Sequence, residues 1–436
     1  MKQKTPWNGG SYQRFRHGVS AALLIILGTI ALIFTGCSND STAVVPQAQW
    51  YAGWRVAQLD YNEATPDGLN DAAHQQKPPM FLENQTIRQI IHLSAGGDGL
   101  RIKLSNLFGE KAVVFDSVHI ASSLGGGQIA VDTDRAVTFD GQNKVVVAAG
   151  QEVWSDTVPM VTTTNMDLSV SIYLAGNTQV TTWHAFSYQT NYLTSGNAVS
   201  AAALADTQTV QSNYWLAGVD ISGTEKTSVV VTFGDSITDG FKSTADKNLR
   251  YPNQLDTLLQ AGGTLGRASV VNSGIAGNRW LNNYMGPNGV SRFQRDALDI
   301  TGATHLVILL GINDLGMGAI AVTQSVTADQ ITTAMSNAVA SAKARGVKVL
   351  LATLLPYKGA FYYSDAGEAK RQVINAWIRA NKQIDALVDF DKAMQDPQNT
   401  TALLPVYDSG DHLHPNDAGY LQMVKTVSAA LAGLAK

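Results

Sequence analysis

The chain has 436 residues, 45% hydrophobic and 15% charged, which excludes a disordered polypeptide and leaves room for two domains with substantial cores. A formal net charge of −4, with no block of Lys or Arg beyond the first residues, argues against a nucleic-acid partner. No repeat with a period of about 20–50 residues is visible, which argues against a solenoid or an adhesive array.

The elements are read in chain order. Lys2, Lys4, Arg14 and Arg16 precede the uncharged stretch Gly18–Thr35, and Gly36 and Cys37 follow it. A positive start, an apolar middle and small residues before a polar break read as a secretory signal. The run up to Cys37 resembles a bacterial lipobox, with Phe34 where Leu is usual; this implies cleavage, diacylation of Cys37 and a membrane lipid anchor. Ser38, rather than Asp, resembles lipoproteins sent to an outer membrane, so a cell-envelope location is expected. The alternative is an uncleaved anchor helix, because the apolar stretch is just long enough to span a bilayer. Cys37 is the single cysteine, so no intrachain disulfide can form.

Residues 1–37 are thus a signal or lipoprotein segment, and the small polar residues 38–49 a tether. From residue 50 to 223 the pattern has period two: Leu100, Ile102 and Leu104 alternate with Arg101, Lys103 and Ser105, and Leu168, Val170, Ile172 and Leu174 form a second such series. Strands with one wet face and Gly- and Asn-containing turns predict an all-β, jelly-roll-like sandwich. From 224 to 436 the apolar runs become continuous, in "SVVVTF", "ASVVNSG", "THLVILLG" and "VKVLLATLLP", as for strands buried on both faces. Helical stretches are expected at about 248–261, 291–300, 327–345 and 366–385, a fifth strand within "ALVDFDKAM", and a closing helix over 416–434 after Pro415. This alternation predicts an α/β fold, a three-layer, doubly wound, flavodoxin-like parallel sheet.

In such sheets ligands bind beyond the carboxyl ends of the strands, so chemistry should follow each apolar run. Gly234-Asp235-Ser236 follows the first, Gly274 and Gly277 the second, and Asn313 and Asp314 the third; Asp408, Asp411, His412 and His414 precede the last helix. Acyl transfer needs a hydroxyl, an imidazole base, a carboxylate to orient it and donors for the developing oxyanion. Ser236, His414 and Asp411 suit the first three roles. The N–H groups of Ser236 and Gly274 and the amide of Asn313 would supply the donors. Each residue also has a plain reading: Ser236 as a helix N-cap, Gly274 and Gly277 as turn residues, Asn313 and Asp314 as Asx-turn residues, His412 as structural. Their joint occurrence at strand exits favours catalysis. No further His or Cys cluster supports a metal site, and no cofactor is expected.

The blocks "FGDSITDG", "NSGIAGNR", "GINDLG" and "DSGDHLHPNDAGY" resemble, in order, those of the GDSL or SGNH hydrolases. The resemblance implies that Ser236, Asp411 and His414 form the triad and that Ser236, Gly274 and Asn313 form the oxyanion hole. Thr238 stands where the α/β-hydrolase elbow has its second Gly. "TIRQIIHLSAGGDGLRIKLSNLFGE" and "TTWHAFSYQTNYLTSGN" are similar to the leading domain of a xylan-esterase-like branch; Trp183 and His184 are expected on a loop near the site, the alternative being surface or interdomain packing. The implied function is an exported serine esterase acting on carboxylic, chiefly acetyl, esters of polysaccharides through an acyl-serine. The alternatives are an esterase for lipids or small esters, such as a lysophospholipase, and a carbohydrate-binding protein with an idle hydrolase domain.

Overall fold

In the computed structural model the described residues are 48–62, 80–262 and 265–434; the leader, Cys37 and nearly all of the tether lie outside them. Among these residues the period-two segment forms two large antiparallel sheets and three small ones. Its principal strands are β1 (Gln49–Arg55), β2 (Gln85–His92), β3 (Gly99–Ser105), β4 (Ser117–Gly125), β5 (Glu152–Trp154), β6 (Asp167–Leu174), β7 (Thr182–His184), β8 (Asn191–Ser195) and β9 (Leu216–Gly223). One large sheet runs β1-β9-β3-β5, the other has β8-β2-β6-β4 at its centre, and β7 lies in one of the small ones. Leu100, Ile102 and Leu104 of β3 are buried, whereas Arg101 and Lys103 are half-buried beside the Trp154 ring. In β6 the alternation fails on purpose: Ser169 and Ser171 are buried too, and Ser171 Oγ accepts from the buried Arg88 Nε at 2.8 Å.

The continuous apolar runs form five parallel strands, β10 (Ser228–Gly234), β11 (Ala268–Gly274), β12 (Ala303–Leu309), β13 (Lys348–Ala352) and β14 (Ala386–Val388). Their order is β11-β10-β12-β13-β14, the flavodoxin-like arrangement, so strand order reverses at β10. Helices α1 (Ser236–Asp239), α2 (Tyr251–Gln260), α3 (Gly289–Phe293), α4 (Ile312–Ile320), α5 (Ala328–Ala344), α6 (Asp365–Ala380), α7 (Phe390–Met394) and α8 (Asp417–Leu434) accompany the sheet. Thr327 and Gln330 form a reciprocal capping box that sets the start of α5.

Several expected boundaries differ, the helix expected from 248 starting at Tyr251 among them. The helix expected from 291 starts at Gly289, where Asn288 caps it, and continues as a π-helical turn, Gln294–Leu298. The helix expected to reach 385 ends at Ala380, because Asn381 is extended and Asp385 instead accepts the Val349 N–H at 2.8 Å. "FDKAM" is helical rather than strand, because the Asp389 carboxylate caps α7 through the Lys392 N–H at 3.2 Å.

Sandwich and α/β segment are joined by the short linker Thr224–Thr227 and packed together. β11 is an edge strand, and β1 and the segment just after β2 lie against it: Ser269 Oγ donates to the Ala52 carbonyl at 2.6 Å and Ser94 Oγ to the Val270 carbonyl at 2.5 Å.

On α2, Asp256 is 2% exposed, and burial, partly offset by the Gln260 amide and the Val270 N–H, pushes its carboxyl up to about 8. A carboxyl raised on folding holds its proton in the native state after the unfolded chain has lost it at 3.8, so stability falls as pH rises from about 4 to about 8. Asp256→Asn is expected to stabilise the protein by about 1–3 kcal/mol at pH 9 and much less at pH 4. Urea midpoints of both proteins at the two pH values check this, and an equal gain at each would contradict it.

Candidate active site

The site is built where β10 turns into α1. A side chain at Gly234 would overlap Thr238 Oγ1 and the Leu309 carbonyl, so glycine is what allows the helix to fold back at once onto the strand end. Asp235, not Ser236, is the N-cap: its carboxylate accepts the Ile237 N–H at 3.1 Å. Ser236 is the first helical residue, and its hydroxyl is directed elsewhere. Ser236 Oγ lies 2.8 Å from His414 Nε2, and His414 Nδ1 lies 2.7 Å from Asp411 Oδ2.

Asp411 is suited to orient that ring. Its Oδ1 accepts the N–H groups of Leu413 at 3.0 Å and His414 at 2.8 Å. Burial raises its carboxyl, but the hydrogen bond and charge of His414, with these two N–H groups, outweigh burial and hold it well below the usual carboxylate range. The other face of His414 packs on Phe241, with ring centroids 4.6 Å apart. The chain between Asp411 and His414 thus closes a tight loop that delivers an oriented imidazole to a buried hydroxyl.

The donors are arranged differently from expectation at one position. Gly274 is the last residue of β11, and its N–H donates to Asn272 Oδ1 at 2.8 Å, so it is not free for a ligand. Asn272 Nδ2 in turn donates to the Thr238 carbonyl at 2.9 Å. A Cβ at Gly274 would run into the Asp239 backbone: glycine is needed there for α1 to pack on the strand, not for a substrate to approach. Three residues on, Gly277 has φ +74°, and among the described residues neither its N–H nor that of Ser236 donates to a protein acceptor. The signal for Gly277 was a second glycine in the same loop, but only the backbone conformation distinguishes the two.

Asn313, the second residue of α4, is held at both ends of its amide. Its Nδ2 donates to the Asn278 carbonyl at 3.0 Å, and its Oδ1 accepts from the buried Tyr362 hydroxyl at 3.0 Å. The amide is therefore fixed with one N–H left over. Asp314 is no mere turn residue: it accepts the Trp280 N–H at 2.8 Å and the Leu281 N–H at 3.3 Å, tying the second loop to α4.

Beneath these loops lies Arg292, 1% exposed, which sequence reasoning missed because a helical Arg looks like a solvent residue. It donates to the carbonyls of Gly234 at 2.7 Å and Ser273 at 2.9 Å and to Asn278 Oδ1 at 2.9 Å, faces Asp296 Oδ2 at 3.2 Å, and stacks 4.0 Å from the Phe233 ring centroid. Burial lowers its guanidinium to about 10, which still leaves it charged near neutrality. Asp235 and Asp314 are raised to about 7 and about 6, chiefly by burial.

His412 projects outward and pairs with Asp408 Oδ2 at 2.6 Å, away from Ser236. Trp183 and His184 are buried on β7, and His184 reaches α1 rather than the reacting hydroxyl. Among the described residues, no group of three or more His, Cys, Asp or Glu side chains is arranged to hold a metal ion. A hydroxyl bonded to an oriented imidazole, beside unspent N–H donors, is an arrangement that can attack a carbonyl and hold the oxyanion formed.

Residues 232–421 match the family described as GDSL-like lipase/acylhydrolase. No curated protein matches the chain. Solved structures similar to it include a GDSL-like lipase from Bacteroides thetaiotaomicron VPI-5482, at 23% identity over 47% of this chain and 87% of that one, with a TM-score of 0.35. An acetylxylan esterase from Geobacillus stearothermophilus matches at 20% identity over 47% and 93%, with a TM-score of 0.37. With the family match and the α/β domain that contains it, residues 232–421 belong to the GDSL-like lipase/acylhydrolases, and the protein is a carboxylic ester hydrolase.

Proposed function

We propose that the protein is a two-step serine esterase in which Ser236, His414 and Asp411 act as nucleophile, base and orienting carboxylate. The observation that carries this is the continuous relay Ser236 Oγ–His414–Asp411 at 2.8 and 2.7 Å. Ser236 Oγ attacks the ester carbonyl as its proton passes to His414 Nε2. The tetrahedral oxyanion is received by the N–H groups of Ser236 and Gly277 and the remaining amide N–H of Asn313. His414 then protonates the departing alcohol, and water hydrolyses the acyl-serine with His414 again as base.

Acetyl groups on a polysaccharide are the proposed substrate. The similarity of the sandwich segment to the leading domain of a xylan-esterase-like branch supports this. So does Phe361, 69% exposed and 4.4 Å from the Tyr362 ring, which offers an aromatic face one residue from the side chain that holds Asn313. The same reading includes export and lipid anchoring through Cys37, on the strength of the leader sequence.

Mass analysis of the products from acetylated xylan, acetylated pectin and short-chain glycerides tests the substrate. Acetate from the polysaccharides is expected with the full-length protein and none with Ser236→Ala, and hydrolysis confined to glycerides would refute the polysaccharide reading. For the donors, Asn313→Ala should lower kcat on an aryl acetate by roughly a hundred- to a thousandfold with little change in KM. Tyr362→Phe, which only frees the Asn313 amide to turn, should cost a smaller factor of roughly three to ten in kcat. A Tyr362→Phe loss as large as that of Asn313→Ala would contradict this ordering.

A further inference from the structure

The sandwich segment contributes a second, buried His–Asp pair that the mechanism above does not use. His184, on β7, and Asp239, the last residue of the helix that begins with Ser236, are 1% and 2% exposed. His184 Nε2 lies 3.0 Å from Asp239 Oδ1, and His184 Nδ1 lies 2.7 Å from the Ala57 carbonyl. Both ring nitrogens thus face oxygen atoms, one on each side of the ring. The other oxygen of Asp239 accepts the Ala276 N–H at 3.2 Å. Ala276 immediately precedes Gly277, and the carbonyl of Asn278, just beyond, receives the Asn313 amide. Arg250, buried near Asp239, is a cation that also faces this carboxylate.

One carboxylate thus joins the sandwich, the end of α1 and the loop that carries an oxyanion donor. A second contact runs the same way: Phe186, from the sandwich, packs edge-on to Phe241 at 5.9 Å, and Phe241 packs on His414.

We propose that His184 is a positioning residue for the esterase reaction: by fixing Asp239 it holds the Ala276 N–H and sets the direction of the Gly277 N–H. The sandwich is then part of the oxyanion site's support rather than a remote binding module. This rests on the serine-esterase reading above. A donor misplaced by a fraction of its hydrogen-bond length acts mainly on the transition state, so the loss should fall on kcat.

Two variants of the full-length chain divide the roles of the ring. Gln at 184 places its amide near the Nε2 position and keeps a donor for Asp239, whereas Asn keeps one near Nδ1 for Ala57 and loses the other. On an aryl acetate, His184→Asn is expected to lower kcat by roughly ten- to a hundredfold with KM within about twofold, and His184→Gln to recover most of the rate. Hydrogen exchange of the 275–280 segment, followed by mass spectrometry, should quicken in His184→Asn and stay near wild type in His184→Gln.

Wild-type kcat and exchange in a folded His184→Asn would overturn the proposal. So would equal losses in both variants that simply follow a lowered unfolding midpoint, since that is what domain packing alone produces. If the wild-type protein neither turns over the aryl acetate nor is labelled at Ser236 by a fluorophosphonate, the esterase reading fails. The exchange difference between the two variants then still decides whether His184 holds the loop.

Discussion

A charged guanidinium buried under the strand ends is the constraint on which the rest of the site depends. Arg292 bonds the carbonyls of Gly234 and Ser273 and the side chain of Asn278, so it fixes the exits of two adjacent strands and the loop after the second at once. Taking such a charge out of water is costly unless every donor is used, and here carbonyls, an amide oxygen, the Asp296 carboxylate and the Phe233 ring share it. With that anchor in place, Gly234 can turn sharply, Asp235 can cap, and Ser236 starts a helix with its hydroxyl turned toward the loop of His414. The position of the Ser236 hydroxyl follows from the packing beneath it more than from its immediate neighbours.

Much of this was legible because the fold class itself dictates where chemistry can sit. Continuous apolar runs identified a parallel sheet, the sheet rule directed attention to strand exits, and Ser236 and Asn313 were found there, with Asp411 and His414 in the loop before the last helix. What was not legible is instructive. Gly274 and Gly277 share one loop and one residue type, and only φ and the competing acceptor Asn272 tell which N–H is spent internally. Arg292 and Tyr362 act through burial, which depends on elements distant in the chain. His184 could be noticed as a candidate, but its partner Asp239 belongs to the other segment, and no periodicity links the two. The end of α6 at Ala380 is set by the extended backbone of Asn381 and the start of α7 by one capping side chain, Asp389; such local features compete poorly with an amphipathic pattern when only the sequence is read.

The carboxylates around the site are sorted by their surroundings. Asp411 receives an imidazole and two backbone N–H groups and stays ionised far into acid. Asp235 and Asp314 are each dominated by burial and repel one another, so they gain protons several units higher, nearer neutrality. The full negative charge is thereby kept beside the His414 ring, at the outer end of the Ser236–His414–Asp411 chain, and is reduced beneath the loops that carry Ser236 and Asn313. Asp239 differs again: it is held between the His184 ring and the Arg250 guanidinium and spends its second oxygen on a peptide N–H. Three kinds of carboxylate, told apart by their donors, surround one hydroxyl.

The contact of β1 with the edge strand β11 has a consequence for the evolution of such chains. Parallel sheets are usually closed at their edges by charged residues, short strands or an added helix, because an open strand recruits others. Here the sequence of β11, "ASVVNSG", carries no charge, and the sandwich supplies the cover through Ala52 and Ser94. A hydrolase domain that delegates its edge protection to a neighbour cannot readily be shuffled into a new architecture without exposing an adhesive strand. The two segments are therefore expected to travel together as one heritable unit, whatever ester the site has been tuned to cleave.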